Sequence, residues 1–390
     1  MVPFWPARAL EQVGDWILLV ALLVTAWESR LDLTFVGLIL IARLTPRIIV
    51  AAFVSRSPAM GPSMLAAIAA SRAVVAGLLV VLTVAEPAGL AAAAATLGLL
   101  SAATAGGRTA WLPQVVPASR LSLVGGLDAV VDRFALCLGP LLATALFMLG
   151  GSGLAFAGGA TALLLSAAFY VLMTVQAGGH RPQPQFAVQV PSGDAPRPSR
   201  AIVLLAAAFS AGAIAGSVTL ALLPILDLAF GGSSGALGVG LAAIGLGALL
   251  GPLPVGRLML RVPVSMLVLA SIGVSATGVL AIAYFSATFL LVPVLLLMGL
   301  VGVTHDTVRA IAARRLASDE RFGEFMRALL VAGGAGQVAG AASVAVGSAW
   351  WGTAGVLAIV AVVAVVIAAA AHLVGADPFS RTPRQAATVP

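Results

Sequence analysis

The chain has 390 residues, of which 61% are hydrophobic and 9% are charged, and its mean hydropathy is +1.11. A soluble globular protein does not carry this much apolar surface, so the composition indicates a chain that is solvated by lipid. The formal net charge of +7 comes from arginine, because the sequence contains no lysine. In such a chain arginines report membrane topology before they report a binding partner, and the composition argues against a nucleic-acid partner.

Continuous apolar stretches, bounded by charged residues, prolines or glycine clusters, predict membrane-spanning helices. A helix needs about 20 apolar residues to cross a bilayer core that is about 30 Å thick. Stretches of this length lie near 12–28, 33–54, 63–85, 88–107, 122–148, 152–176, 201–228, 234–256, 262–283, 287–308, 325–347 and 352–374. The sequence therefore predicts an all-α membrane protein with twelve transmembrane helices.

The two sets of six spans resemble each other. Three residue pairs are each separated by 201 residues, and they are Arg56 and Arg257, Arg120 and Arg321, and Gly139 and Gly340. Such a repeat favours duplication of a helix bundle. The predicted units are a six-helix bundle at 1–176, a linker at 177–200, a second six-helix bundle at 201–376 and a tail at 377–390.

The arginines also predict the orientation of the chain. With these spans, nearly all of them fall on one side of the membrane, and Arg30 falls on the other. Cytoplasmic loops collect arginine, so the linker, the tail and both termini are predicted to be cytoplasmic. We expect a multi-pass protein of the cell membrane that functions as a monomer.

Three aspartates are the first candidates for a functional site, because an ionisable group within the bilayer costs about 2.5–3.5 kcal/mol and usually faces the bundle interior or water. Asp15 interrupts the first span. Asp128 and Asp132 are four residues apart and share one face of the fifth span. Two such carboxylates favour proton uptake, because burial and mutual repulsion both oppose the charged form. All three are candidates for proton coupling, and the alternative is that each is a cap or a fixed ion-pair partner.

Four arginines could be counter-charges to these aspartates. Arg43 and Arg47 share a face of the second span, Arg72 lies in the third span, and Arg133 follows Asp132. We expect a charge network between helices that either remains fixed or exchanges partners during transport. The sequence leaves both alternatives open.

Two further polar or aromatic residues could line a cargo cavity. Trp16 follows Asp15, and Gln337 is an uncharged polar residue within the eleventh span. The alternative for Gln337 is a hydrogen bond to a neighbouring helix.

No other chemistry is indicated. His180, His305 and His372 are too scattered for a metal site. The sequence has no glycine-rich phosphate loop and no nucleophile motif. We therefore expect neither an enzyme nor a protein with a metal or an organic cofactor.

Four segments carry a resemblance to a known family, and they are Gln12–Trp16 (QVGDW), Ala42–Arg47 (ARLTPR), Arg108–Pro117 (RTAWLPQVVP) and Leu138–Pro140 (LGP). They resemble the major facilitator superfamily, in particular its bacterial drug and siderophore exporter branch, which includes enterobactin and macrolide efflux proteins. The resemblance implies two six-helix bundles that rock about a central cavity. It also implies gate loops at Arg56 and Arg257, although both loops lack the aspartate that is usual in the family.

The sequence thus predicts a secondary transporter, with proton-coupled efflux of small amphipathic molecules as the expected activity. Membrane lipid, a small-molecule cargo and the proton are the expected partners. The missing gate aspartates leave two alternatives open. One is a non-transporting scaffold or partner subunit with the same fold, and the other is a translocator of lipids or lipid-linked precursors.

Overall fold

The computed structural model describes residues 3–29, 31–53, 60–82, 86–176, 198–230, 235–284, 288–317 and 319–375. These residues form α-helices and short connections, and they contain no strand. The helices are α1 (Phe4–Glu28), α2 (Leu33–Phe53), α3 (Pro62–Leu82), α4 (Pro87–Val115), α5 (Leu121–Gln176), α6 (Pro198–Ala229), α7 (Ala236–Leu250), α8 (Pro252–Arg261), α9 (Val264–Tyr284), α10 (Thr288–Leu316) and α11 (Asp319–Gly375), with a short 3₁₀-helix at Ala118–Arg120.

Nine of the described helices are long and apolar enough to cross a membrane, and α7 is a shorter apolar helix of 15 residues. The prediction of an all-helical chain with many membrane spans is therefore confirmed. The predicted linker, the predicted tail and the gate residue Arg56 lie largely or wholly outside the described residues.

Helices α5 and α11 each fold back on themselves. They contain 56 and 57 residues, and a straight helix of that length would extend about 84 Å, far beyond a bilayer. In α5 the helix is interrupted at Gly151, whose φ of 69° lies in the region that favours glycine. A Cβ at Gly158 would lie 2.3 Å from Leu146, which places the two arms side by side.

Helix α11 is interrupted in the same way at Gly352, whose φ is 66°. A Cβ at Gly347 would lie 2.9 Å from Val356 on the other arm. The interruption at Gly151 falls between the predicted spans 122–148 and 152–176, and the interruption at Gly352 falls on the first residue of the predicted span 352–374. Each arm is long enough to cross a bilayer core once.

The helices pack mainly within two groups. In the first half, α1–α5, α1 lies along α5 and α2 lies along α4. In the second half, α6–α11, α6 lies along α11 and α7 lies along α10. The halves meet where α2 packs against α11 and where α5 packs against α7.

Helix α1 begins earlier than the sequence predicted. The predicted span starts at residue 12, whereas the helix starts at Phe4 and includes Arg8 and Glu11, which are both buried. Charged residues ended the hydropathy window, but charges that pair inside a bundle do not end a helix. As a result Asp15 lies about three turns inside α1, deeper than its place in the predicted span.

Candidate functional site

A polar stripe runs along one face of α1. Arg8, Glu11, Gln12 and Asp15 follow the i, i+3, i+4, i+7 spacing of a single helix face. The other faces of α1 are apolar and pack into the core, so this stripe is directed at the neighbouring helices of the first half. Arg8, Glu11 and Asp15 are buried, and each has an ion-pair partner on another helix.

Asp15 lies between three helices. Arg43 Nη2 of α2 donates a hydrogen bond to Asp15 Oδ1 at 2.5 Å, and Arg72 of α3 binds the same oxygen. The Ser101 hydroxyl of α4 donates to Asp15 Oδ2 at 2.8 Å. Arg47 Nη2 lies 3.6 Å from Oδ2 and donates to the Ser101 hydroxyl oxygen at 3.0 Å. Asp15 therefore holds α1, α2, α3 and α4 together.

Glu11 extends the contacts by one turn of α1. Arg72 Nη1 donates to Glu11 Oε1 at 2.9 Å, so Arg72 binds both carboxylates of the stripe. The Tyr170 hydroxyl, on the second arm of α5, donates to Glu11 Oε2 at 3.1 Å. Arg108 Nη1 of α4 lies 3.8 Å from the same oxygen.

The two aspartates of α5 meet the start of the stripe. Arg8 Nε donates to Asp128 Oδ1 at 2.8 Å, and Arg8 Nη2 binds Asp132 Oδ1. Gln12 Nε2 also donates to Asp132 Oδ1, at 2.5 Å. Arg108 Nη2 lies 3.6 Å from Asp128 Oδ2, which connects these aspartates to Glu11. The side chains of Asp128 and Asp132 are 24% and 35% exposed, so they are the most accessible carboxylates of this set.

These groups form one continuous chain of ion pairs, which we call the charge network. Its members are the carboxylates of Glu11, Asp15, Asp128 and Asp132 and the guanidinium groups of Arg8, Arg43, Arg47, Arg72 and Arg108. Five positive and four negative groups leave one excess positive charge. Buried charges persist in a membrane protein when each one has an opposite partner and hydrogen bonds, which this arrangement supplies.

Arg133 lies apart from this network. Successive residues on a helix point about 100° apart, and Arg133 faces away from the aspartates that precede it. Its Nη2 lies 3.8 Å from Asp306 Oδ2 on α10, while Arg309 Nη2 lies 3.1 Å from Asp306 Oδ1. Arg133 was expected to pair with Asp128 or Asp132. It instead contacts Asp306 of the second half.

The other predicted site residues lie elsewhere. Trp16 is half-buried against α5, where a Cβ at Gly139 would lie 2.5 Å from the Trp16 Cβ. Gln337 is half-buried on α11, with its backbone against Gly216 of α6. Arg257 is exposed on α8. None of these three residues belongs to the charge network.

Sequence reasoning missed Glu11, Arg108, Ser101 and Tyr170, and it treated Arg8 as a topology marker. The spacing of Arg8, Glu11 and Asp15 on one helix face was the available signal. Tyr170 and Ser101 gave no comparable signal, because single hydroxyl groups are common within membrane helices. The described residues also contain no group of three or more histidine, cysteine, aspartate or glutamate side chains that could hold a metal ion.

No family profile matches the sequence, and no curated protein is similar to it. Solved structures do share its fold. A POT family transporter in complex with a thioalcohol-conjugated peptide has a TM-score of 0.74 at 13% identity, over 97% of this chain and 96% of that one. A POT family transporter in complex with 5-aminolevulinic acid has a TM-score of 0.74 at 12% identity, over 97% and 96% of the two chains.

A bacterial homologue of the iron transporter ferroportin, in an inward-facing state, has a TM-score of 0.67 at 14% identity over 97% of both chains. These proteins are transporters, and at such low identity the similarity establishes the fold alone. The protein is therefore a multi-pass membrane protein that shares the fold of these transporters. The predicted resemblance to the drug and siderophore exporter branch stays a prediction.

Proposed function

We propose that the protein is a proton-coupled secondary transporter that exports small amphipathic molecules across the cell membrane by alternating access. In this proposal a monomer has twelve spans in two six-helix bundles, 1–176 and 201–376, with both termini in the cytoplasm. The observation that carries the proposal is the charge network, which runs from half-exposed carboxylates on α5 through the interior of the first half to the exposed Arg47. A scaffold needs no such chain of buried charges.

The contacts between the halves support a rocking motion. The Thr34 hydroxyl of α2 donates to the Ala345 carbonyl of α11 at 3.1 Å, and the Thr144 hydroxyl of α5 donates to the Gly235 carbonyl at 2.9 Å. Such single hydrogen bonds between hydroxyl and backbone groups are weak enough to break and reform. The sequence predicted a gate loop at Arg257, but Arg257 lies on helix α8. We assign the gate to the segments around Arg56 and Arg257, together with the Arg133–Asp306 pair.

The two ends of the network have different roles in this mechanism. Asp132 is the group that takes up the proton, because it is the most exposed carboxylate of the network and shares Arg8 with Asp128. A proton on Asp132 removes the negative charge that holds Arg8 and Gln12, which frees α1 to shift relative to α5. Asp15, with Arg43, Arg72 and Ser101 around it, transmits this shift to α2, α3 and α4. Trp16 and Gln337 are the residues that we assign to the cargo cavity.

The test is transport in proteoliposomes with an imposed pH gradient, using a panel of fluorescent amphipathic compounds that includes cationic, neutral and anionic members. We expect gradient-dependent movement of at least one compound. Asp132→Asn should abolish the gradient dependence while leaving the protein folded, because asparagine keeps the shape and one acceptor of the side chain. Asp15→Asn should reduce the rate by weakening the contacts between α1 and its neighbours.

The matched control is Asp32→Asn. Asp32 is exposed and accepts a hydrogen bond from the Phe35 backbone N–H at 3.0 Å, a capping role that asparagine also fills. This variant should transport like the unmodified protein. If the Asp15→Asn and Asp132→Asn double variant keeps its full gradient dependence, the assigned coupling is wrong. If no compound moves under any gradient and a protein partner co-purifies, the chain is a scaffold.

A further inference from the structure

We propose that Arg47, with Arg43 and Ser101 beside it, forms a binding subsite for the carboxylate of the cargo. This inference rests on the proposed function, since it assumes a small-molecule cargo, and it narrows that cargo to organic anions. The sequence suggested Arg43 and Arg47 as counter-charges to aspartates. The geometry gives Arg47 a different role.

The first observation is the exposure and the loose pairing of Arg47. Both oxygens of Asp15 already accept hydrogen bonds, from Arg43 and Arg72 on one side and from Ser101 on the other. Arg47 approaches Asp15 only to 3.6 Å. Its side chain is 49% exposed, whereas those of Arg43 and Arg72 are 3% and 0% exposed. Arg47 is therefore the most exposed and the most loosely paired of the three arginines around Asp15.

The second observation is an unused donor beside it. Arg43 is buried, and its Nη1 has no hydrogen-bond partner among the described residues. Arg43 and Arg47 are one turn apart on the same face of α2. A buried donor without a partner is costly, and two arginines at this spacing repel each other. An anion that accepts from both would relieve the two penalties together.

The third observation is where this group lies in the fold. Arg47 contacts residues of α1 and α4, so it lies where those two helices meet α2. The next residue, Ile48, packs against α11 of the second half, where a Cβ at Gly334 would lie 2.7 Å from the Ile48 Cγ1. A ligand at Arg47 would therefore be next to the contact between the halves, and its binding would bias their relative position.

The chemistry of the group favours a carboxylate. A guanidinium group presents parallel N–H donors that match the two oxygens of a carboxylate. The Arg47 donors that do not contact Ser101 or Asp15 are available for such a pairing. The mostly apolar helices around it suit a cargo whose remaining part is hydrophobic.

The experiment measures binding at equilibrium, without any gradient, in purified full-length protein in a neutral detergent. The probes are naphthoate and naphthamide, which have nearly the same shape and differ in charge. We expect naphthoate to bind at least about tenfold more tightly than naphthamide, which corresponds to about 1.4 kcal/mol. Arg47→Gln should remove this preference, and Arg47→Lys should keep part of it, because lysine retains the charge without the planar fork.

Arg120→Gln is the matched control, because Arg120 is an exposed arginine of the 3₁₀-helix outside the charge network. Its naphthoate affinity should equal that of the unmodified protein. Thermal unfolding of each variant shows whether it is folded, and Arg47→Lys provides a second measurement if Arg47→Gln is not. The inference is overturned if naphthamide binds as tightly as naphthoate, or if folded Arg47→Gln keeps the preference. Transport of cationic or neutral compounds without naphthoate binding would overturn the subsite alone, and naphthoate binding without transport would overturn the proposed function alone.

Discussion

The two halves of the molecule hold their central helices together by different means. In the first half, α1 is joined to α2, α3, α4 and α5 by the ion pairs of the charge network. In the second half, α6 and α11 approach through glycines. A Cβ at Gly216 would lie 2.0 Å from the Gln337 carbonyl oxygen, and a Cβ at Gly340 would lie 2.0 Å from that of Ala213.

The difference has a physical consequence for each half. Ion pairs are directional and lose much of their energy when one partner moves, so the charge network opposes small shifts of α1 relative to its neighbours. Close contacts between glycine-rich helices rely on van der Waals packing over a smooth surface. In the proposed function, the proton-coupled steps are therefore assigned to the first half, and the second half is the closely packed unit against which the first half would move.

The largest expected effect tests the ion pairs of the first half. Arg72→Met removes a fully buried guanidinium group and leaves Glu11 and Asp15 each with one fewer counter-charge. Breaking a buried pair by removing one partner destabilises a protein by about 3–5 kcal/mol, because the other charge stays buried. Thermal unfolding in detergent micelles should show a large loss of stability. Arg257→Met, at an exposed position on α8, should leave the unfolding temperature nearly unchanged.

Part of the stability lost in Arg72→Met should be restored by a second substitution at Glu11. Adding Glu11→Gln to Arg72→Met removes a buried carboxylate that has lost its nearest counter-charge, so the double variant should be more stable than Arg72→Met alone. If the double variant is instead less stable by the full sum of the two single effects, Arg72 does not act through Glu11. That result would remove the basis for the contrast between the halves.

The next effect tests the glycine packing of the second half. Gly216→Val places a branched side chain where the backbone of α11 lies, and backbone atoms cannot move aside as a side chain can. Overpacking of this kind costs about 1–3 kcal/mol, and the yield of folded protein should fall with it. Gly77→Ala on α3 is the control, since a Cβ at Gly77 meets no atom within 4 Å. A helix-interior alanine there should raise stability by up to about 1 kcal/mol.

Sequence patterns predicted the membrane-spanning helices better than they predicted which charged residues pair with each other. Apolar stretches predicted an all-helical chain with many membrane spans, because hydropathy depends on local composition, and the gap between predicted spans five and six contains the interruption at Gly151. Asp15 and Arg43 were recognised as possible partners because charged residues are rare in lipid. The partner that binds two carboxylates, Arg72, was a minor candidate, because its central position depends on how α3 packs.

The remaining differences between the sequence predictions and the structure come from contacts between residues that are far apart in the sequence. Asp128 is 120 residues from Arg8, and Tyr170 is 159 residues from Glu11. A hydropathy window does not detect such contacts, and the predicted first span therefore starts at residue 12, after Arg8 and Glu11. The direction of Arg133 followed from helix geometry, but its partner Asp306 depends on how α5 faces α10.

The smallest effect concerns the contact between the halves. Arg133→Gln removes the pair with Asp306, whose side chain is 49% exposed and 3.8 Å away, so water screens it. Such pairs contribute about 0.2–1 kcal/mol, which shifts an equilibrium between two arrangements of the halves by no more than about fivefold.

The labelling rate of Cys137 measures that shift, because Cys137 is the single cysteine of the chain and lies one turn from Arg133. Its backbone lies against α7 of the second half, where a Cβ at Gly245 would lie 2.5 Å from the Cys137 nitrogen. We expect Arg133→Gln to raise the rate of maleimide labelling of Cys137, and Arg120→Gln to leave it unchanged. Asp306→Asn should raise it as well, and the double variant should add little, because both substitutions break the same contact. Fully additive increases would show that Arg133 and Asp306 act independently and not through their mutual contact.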